Sequence, residues 1–301
     1  MINIQVLMST YNGEKYLEEQ INSILSQKDV NVSLLIRDDG SKDKTREIIE
    51  KYKKSDSRVS FVFEDNIGVK KSFLRLIELS DSKADFYAFS DQDDIWQEDK
   101  LSTAVKKLQS EPNDIPLIYG SSVYLYSDNN IIGTNYECSK LELGNFLIKN
   151  YYPGCTMVFN GVLRNLINHC DYNSLNSFPL HDHWLNLVCT ACGGKVIMDR
   201  KPHILYRQHN NNVIGDRSLI QKIKGNGLFN RSVNTRYKIC NELHSCYKNY
   251  ETENTSKLIQ TILSYDKSMI NRFKLAFNKN IKPLSVIEKL SIFLIILLRK
   301  F

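Results

Sequence analysis

The sequence predicts an α/β protein built on a mostly parallel, doubly wound central sheet, followed by a helical extension. Three observations predict it. Short apolar runs alternate with helix-spaced apolar patterns over residues 4–124, the pattern of a parallel sheet covered by helices. Runs one, two and four each end in a polar cluster: Ser9-Thr10-Tyr11-Asn12-Gly13, Arg37-Asp38-Asp39-Gly40-Ser41 and Asp91-Gln92-Asp93-Asp94. Beyond about residue 215 the chain is basic and helical in pattern, with no catalytic set of its own.

The elements follow in order. Residues 4–8 form an apolar strand, and Leu17, Ile21, Ile24 and Leu25 then recur at helical spacing. A second strand spans 32–36, and its helix carries Ile48, Ile49 and Tyr52 on one face. A third spans 59–63, and Asn66-Ile67-Gly68 turns into a helix with Val69, Phe73, Leu76 and Ile77 inward. The fourth spans 85–90 and leads into the acidic cluster, with Leu101, Ala104, Val105 and Leu108 marking the next helix. A fifth strand is expected over 117–124, and the alternation loosens from Asn129. Short strands at 157–159, 196–198 and 204–206 flank a helix at 179–188 whose first turn carries His181-Asp182-His183.

Composition is that of an ordinary folded protein: 301 residues, 42% hydrophobic, 25% charged, mean hydropathy −0.35. Wholesale disorder is excluded. Net charge is +6, but residues 201–301 hold 18 Lys/Arg against 6 Asp/Glu, or +12, leaving −6 on the first 200. A basic tail on an acidic body suits a polyanionic partner, and an anionic membrane face fits better than nucleic acid. The basic residues are dispersed and no nucleic-acid module is present, so no nucleic-acid partner is expected. Residues 284–298 are strongly apolar yet too short a run to span a bilayer. They read either as an interfacial anchor or as a terminal helix packed on the body or on a second subunit. Met1-Ile2-Asn3-Ile4 runs straight into a strand pattern with no secretory signal ahead of it. The seven scattered cysteines are therefore expected as reduced thiols in a cytoplasmic protein. Cys189 and Cys192 have CxxC spacing but no second pair, which favours buried small residues at a helix end over zinc or redox chemistry.

The acidic cluster carries the chemistry. Three carboxylates in four positions repel one another unless a cation or donors hold them. Hard oxygen ligands suit Mg²⁺ or Mn²⁺ shared with a substrate diphosphate. The competing reading is a solvated acidic turn, with Asp94 capping the helix that follows. Ligands of open α/β sheets bind at the carboxyl ends of the strands. The three polar clusters would then share one edge.

Together, Ser9-Thr10-Tyr11-Asn12, Asp38-Asp39-Gly40-Ser41 and Asp91-Gln92-Asp93-Asp94 resemble, in order and spacing, the opening of the family 2 glycosyltransferases. His181-Asp182-His183-Trp184 and Tyr206-Arg207-Gln208-His209 are similar to the rhamnosyltransferase-like branch of that family. The resemblance covers about residues 3–215. It implies a GT-A fold over 1–215, divided into a nucleotide-binding half (1–125) and an acceptor-side half (126–215), with the basic helical region 216–301 outside it. It also implies a nucleotide-diphosphate sugar donor, first of all dTDP-rhamnose, and inversion at the anomeric carbon. The acceptor would be a saccharide, expected on a lipid carrier at the inner face of the membrane, and a homodimer is one use of the tail.

The resemblance also assigns roles. Thr10, Tyr11, Asn12, Glu14 and Asp39 would hold the nucleoside, and Asp91 and Gln92 the nucleotide sugar, with Asp91 on the ribose side. Asp93 would bind the divalent metal, with His209 as a further ligand. Lys71, or its neighbour Lys70, would reach a phosphate. Asp182 would be the general base, and His181 and Trp184 would face the acceptor. Structural readings compete at each position: helix capping for Asp38, Asp39 and Asp182, solvation for the lysines, a hydrogen-bonded loop for His209, core for Trp184. Two other classes use similar parts. A sugar nucleotidyltransferase would want a Gly-rich basic loop after strand one, which Ser9-Thr10-Tyr11-Asn12-Gly13 lacks. A non-catalytic, membrane-associated nucleotide-sugar-binding protein would not need acids at all three motifs.

Overall fold

The computed structural model describes residues 1–135, 141–208 and 235–301. In chain order its body comprises β1 (Asn3–Thr10), α1 (Leu17–Leu25), β2 (Asn31–Asp39), α2 (Thr45–Ser55), β3 (Val59–Glu64), α3 (Val69–Leu79), β4 (Phe86–Ser90), β5 (Ile95–Trp96) and α4 (Lys100–Leu108). Then come β6 (Leu117–Ser121), β7 (Val123–Ser127), β8 (Asn130–Asn135), α5 (Leu143–Phe146), β9 (Val158–Asn160), α6 (Gly161–His169), α7 (His181–Ala191), β10 (Lys195–Asp199) and β11 (Ile204–Arg207). Four helices close the chain: α8 (Thr235–Tyr247), α9 (Glu253–Leu263), α10 (Met269–Ala276) and α11 (Val286–Leu297).

The main sheet runs β10-β6-β9-β4-β1-β2-β3. Strands β3, β2, β1 and β4 are mutually parallel, and β10 pairs parallel with β6. The three-residue β9 lies antiparallel between β4 and β6. Both faces of this sheet are covered, so its strands are apolar on both sides. In β1, Ile4, Val6 and Met8 join one core cluster and Leu7 the other. The chain passes from β1 to β2 and β3 on one side, then returns to place β4 on the other side of β1. That reversal opens a crevice at the carboxyl ends of β1 and β4, where two of the polar clusters sit.

The structure departs from the sequence reading in two places, the first of them beside the site. The strand expected over 117–124 breaks at Ser122, and its second half, as β7, joins a separate sheet ordered β5-β11-β7-β8. This small sheet carries β11 beside the acidic loop: β11 pairs with β5, which begins one residue after Asp94. The second departure concerns cysteine. Cys170 and Cys246 are joined in a disulfide, which corrects the expectation of reduced thiols for that pair. Cys155, Cys189, Cys192 and Cys240 are free thiols. Cys189 is buried inside α7 and Cys192 ends that helix.

The closing helices share the body's core. Leu243, Tyr247, Ile259, Ile262, Ile295 and Phe301 belong to the same buried cluster as Trp184 and Phe159. No helix among the described residues is long and apolar enough to cross a membrane.

Candidate active site

A cleft of about 790 Å³ lies at the carboxyl ends of β1 and β4. Ten of its walls matter most here: Thr10, Tyr11, Asn12, Asp39, Asp91, Gln92, Asp93, Gly154, His181 and Asp182 all line it. Clusters from three strands and one helix, up to 172 residues apart in sequence, thus meet at one opening.

The strand-one loop is held by the strand-two acids. Thr10 Oγ1 donates to Asp38 at 3.1 Å, and Asp38 also accepts the Ser41 N–H at 3.0 Å and Arg46 Nε at 2.7 Å. Asp38 is fully buried, so it is a scaffold for the loop, and Asp39 is the member of the pair that reaches the cleft. Asp39 accepts the N–H groups of Ile67 (2.8 Å) and Gly68 (3.0 Å) and pairs with buried Arg37 at 2.5 Å. It thereby ties the start of α3 to β2. A carboxylate has about four lone-pair sites, so these contacts leave room for one more donor.

Gln92 clasps Tyr11. Its Oε1 accepts the Tyr11 N–H at 2.8 Å and its Nε2 donates to the Tyr11 carbonyl at 3.1 Å. A Cβ on Gly13 would stand 2.4 Å from Gln92 Oε1, so only glycine there permits the clasp. Asn12 adopts φ 50° and turns the chain outward. Its neighbour Glu14 accepts the Lys44 N–H at 2.9 Å on the far side of the loop. Glu14 is therefore corrected: it steadies the entry to α2 and does not line the cleft. Lys71 is corrected too. Val69 and Phe73 supply the cleft-facing stripe of α3, and Lys71 is turned about 200° from Val69. Lys70 donates to the Phe178 carbonyl at 3.2 Å and does not line the cleft.

The acidic loop is partly buried, with Arg207 and the buried Lys100 as its cationic neighbours among the described residues. Burial, then the carboxylates of Asp93 and Asp182, push Asp91 up to about 7. Asp94 does not cap a helix, since α4 begins at Lys100 with Asp99 at its N-cap. Instead Asp94 is buried, accepts the Arg207 N–H at 3.2 Å, and leaves Oδ2 without a hydrogen-bond partner. Arg207 also donates from Nε to the Asp93 carbonyl at 2.8 Å and from Nη2 to Glu19 at 2.5 Å. It braces the loop from β11. Ligand atoms of Asp91, Asp94 and Cys155 lie within 4.8 Å of one another. Burial and the acids hold the Cys155 thiol protonated, and a hard cation prefers oxygens, so Cys155 is a wall; of the loop acids, Asp91 and Asp93 are the two that line the cleft. Four acids, Asp39, Asp91, Asp93 and Asp182, line a cleft whose lining, among the described residues, contains one lysine, Lys15. Such a site fits a divalent cation, because an anionic diphosphate would otherwise be repelled. His209 lies outside the described residues.

Asp182 occupies the first turn of α7 and is 3% exposed. Its Oδ1 accepts the His183 N–H at 2.7 Å and its Oδ2 accepts Asn150 Nδ2 at 2.8 Å. Burial outweighs these donors and raises its pKa to about 6. Asn150 is itself set by its neighbours. Asn186 Nδ2 donates to Asn150 Oδ1 at 3.1 Å, and Tyr152 Oη donates to Asn186 Oδ1 at 2.5 Å. Sequence reasoning missed Asn150, Tyr152, Asn186 and Gly154. Only Asn186 carried a positional signal, one turn beyond Asp182 on the same helix. Gly154 packs so closely that a Cβ would come within 3.0 Å of both Asp182 and His181.

His181 stacks on Phe73 at 3.9 Å and meets Phe89 edge-on at 5.0 Å. Burial lowers its pKa to about 3, so it is a neutral wall of the cleft at physiological pH. Trp184, expected to face an acceptor, does not line the cleft. It is 1% exposed and packs on Phe178 and Tyr247, because α7 is buried on nearly every face.

The model of the family described as Glycosyl transferase family 2 matches residues 5–171. Over 217 residues, 35% are identical to the dTDP-rhamnosyl transferase RfbG of Shigella flexneri, covering 69% of this chain and 73% of that one. The UDP-Glc:alpha-D-GlcNAc-diphosphoundecaprenol beta-1,3-glucosyltransferase WfgD of Escherichia coli is 31% identical over 163 residues, 54% of this chain and 62% of that one. Among solved structures, S. aureus TarS 1-349 in complex with UDP-GlcNAc superposes with a TM-score of 0.59 at 16% identity, covering 96% of this chain and 78% of that one. At that identity the likeness speaks for the fold.

Proposed function

Because the chain belongs to glycosyl transferase family 2, a family of enzymes here in its GT-A fold, we propose that it performs an inverting transfer of a sugar from a nucleoside-diphosphate donor to an acceptor hydroxyl. The observation that carries this reading is the single cleft lined by Asp39, Asp91, Asp93 and Asp182. It offers acids for a cation-bound diphosphate on one wall and a buried carboxylate on another.

Tyr11, Asn12 and Asp39 line the nucleoside end, with Thr10 and Gln92 fixing the loop that presents them. Asp91 and Asp93 would hold Mg²⁺ or Mn²⁺, which when bound neutralises the diphosphate and so favours its departure. Asp182 is the base. At neutral pH a carboxyl of pKa about 6 is mostly ionised and can accept a proton. In one displacement the acceptor oxygen bonds to the anomeric carbon, its proton passes to Asp182, and the bond from that carbon to the diphosphate breaks with its electron pair leaving on the diphosphate. Gly154 and the Asn150 amide hold Asp182 in place for that step.

L-Rhamnose from dTDP-rhamnose is our first donor, on the likeness to the Shigella dTDP-rhamnosyl transferase. A lipid-linked saccharide at the inner membrane face is our acceptor, and the diphosphoundecaprenol in the Escherichia relative's name supports it. The test is a panel of nucleotide sugars assayed for release of nucleoside diphosphate, with and without chelator. Turnover of dTDP-rhamnose that stops in EDTA and returns with Mg²⁺ or Mn²⁺ is expected. Full turnover in chelator would remove the cation, and turnover confined to another donor would replace rhamnose.

A further inference from the structure

The cleft accounts for the acids of the body but leaves the far end of the chain unexplained. Ten of the sixteen exposed large apolar side chains among the described residues lie between Met269 and Leu298. On α10, Met269, Ile270 and Phe273 point outward while Leu275 is buried. On α11, Val286, Leu290 and Leu294 form one ridge at four-residue spacing, while Ile292, Ile295 and Ile296 enter the core. The two helices pack together, and Phe277, 73% exposed, meets Phe293 of α11 edge-on at 5.6 Å. The exposed stripes of α10 and α11 thus join across Phe277. Each helix is anchored by its inner face, so the outer face is a stable feature of the fold. An apolar surface of this extent marks a docking site.

Charge selects the occupant. Residues 266–301 contain eight Lys/Arg and two Asp/Glu. Lys274, Lys279, Lys289, Arg299 and Lys300 are exposed around the apolar stripes. Glu288 is engaged, pairing with Lys149 at 3.2 Å and accepting the Leu284 N–H at 2.9 Å. The helices span 8 and 12 residues, too short to cross a bilayer. They suit the plane of an interface, where apolar side chains enter the acyl boundary and cations meet lipid headgroups. A second copy on the same face would bring two basic rims together, which opposes a two-fold contact. We propose that the α10–α11 face docks on the surface of an anionic bilayer. This deepens the reading of a membrane-borne acceptor, but it rests on the composition of the surface and not on the chemistry of the cleft.

The experiment is co-sedimentation of the full chain with vesicles of equal parts phosphatidylglycerol and phosphatidylcholine, and with phosphatidylcholine alone. Binding to the anionic vesicles that weakens with salt is expected. The pair Phe277→Glu/Leu290→Glu should lower vesicle affinity by about tenfold or more. A second pair, Lys274→Glu/Lys289→Glu, alters only exposed charge and keeps the test usable if the first variant misfolds. Nucleoside diphosphate release from a donor in solution should be unchanged in both, so failure of docking and failure of the transferase reading are told apart. Equal sedimentation of wild type and both variants overturns the proposal. So does a dimer in light scattering that these substitutions split, which would give the face to a second copy.

Discussion

Removing the Asn150 amide should move the pH dependence of transfer without removing the base. Asn150 Nδ2 donates to Asp182 Oδ2 at 2.8 Å, and that donor stabilises the ionised carboxylate. A hydrogen bond to a charged group is worth about 1.5–3 kcal/mol, or roughly one to two pKa units at 1.36 kcal/mol each. Asp182 starts at about 6, so in Asn150→Ala its pKa should reach roughly 7–8. At pH 7 the ionised fraction would fall from about nine-tenths to between a half and a tenth. Transfer should drop roughly two- to tenfold at pH 7 and recover above about pH 9. The assay is kcat against pH at saturating donor and cation, which keeps Asp91 out of the titration. Tyr152→Phe loosens the chain one link further out, through Asn186, and should give a smaller shift in the same direction. An acidic limb that stays near 6 in both folded variants would refute the reasoning, as would a loss that high pH does not restore.

Asp182→Asn should abolish transfer while leaving donor binding by calorimetry unchanged; measurable turnover at the wild-type rate would remove Asp182 as base. The same variant carries a stability signature. The folded-state pKa of Asp182, about 6, lies above its ordinary 3.8, so the folded state loses stability as pH rises between those values. That loss is about 3 kcal/mol once complete, and Asn does not titrate. The stability of Asp182→Asn relative to wild type should therefore climb between pH 4 and pH 7 in urea titrations, and a difference that is flat with pH would contradict the burial argument. Trp184→Ala should cost about 3–5 kcal/mol of stability, whereas Trp184→Phe should fold and keep the wild-type acceptor KM. A large rise in that KM with unchanged stability would return Trp184 to the acceptor site.

The elements that place the site were legible because each strand of the first half is a compact apolar run with a polar stop. The order β4-β1-β2 then brings the clusters of Thr10, Asp39 and Asp91 together, as the alternation required. What escaped was set by partners that leave no local trace. Strand β9 was expected at 157–159, but its antiparallel direction escaped, because three residues carry no sign of the partner they pair with. The small sheet took half of an expected strand, because Ser122 donates its N–H to the Asp199 carbonyl at the edge of the main sheet and β7 leaves from there. Arg207 stood inside a quoted motif yet showed no role until β11 set it against Asp93, Asp94 and Glu19.

Helix α7 carries both the residues that reach the cleft, His181 and Asp182, and one expected there that does not, Trp184. Ten of its eleven residues are buried, so it has no polar face from which to tell outward from inward positions. Trp184 therefore looked as free to face a ligand as His181 did, and only packing assigns it to the core. The same all-round burial surrounds Asp182 with low-dielectric material and lifts its pKa to about 6. An amphipathic helix with one wet face would have left that carboxyl near its ordinary value and the proton affinity of the base correspondingly weak. Concealment in the sequence and basicity in the site thus have one cause, and the His183 N–H, together with the Asn150 amide, limits how far the pKa rises.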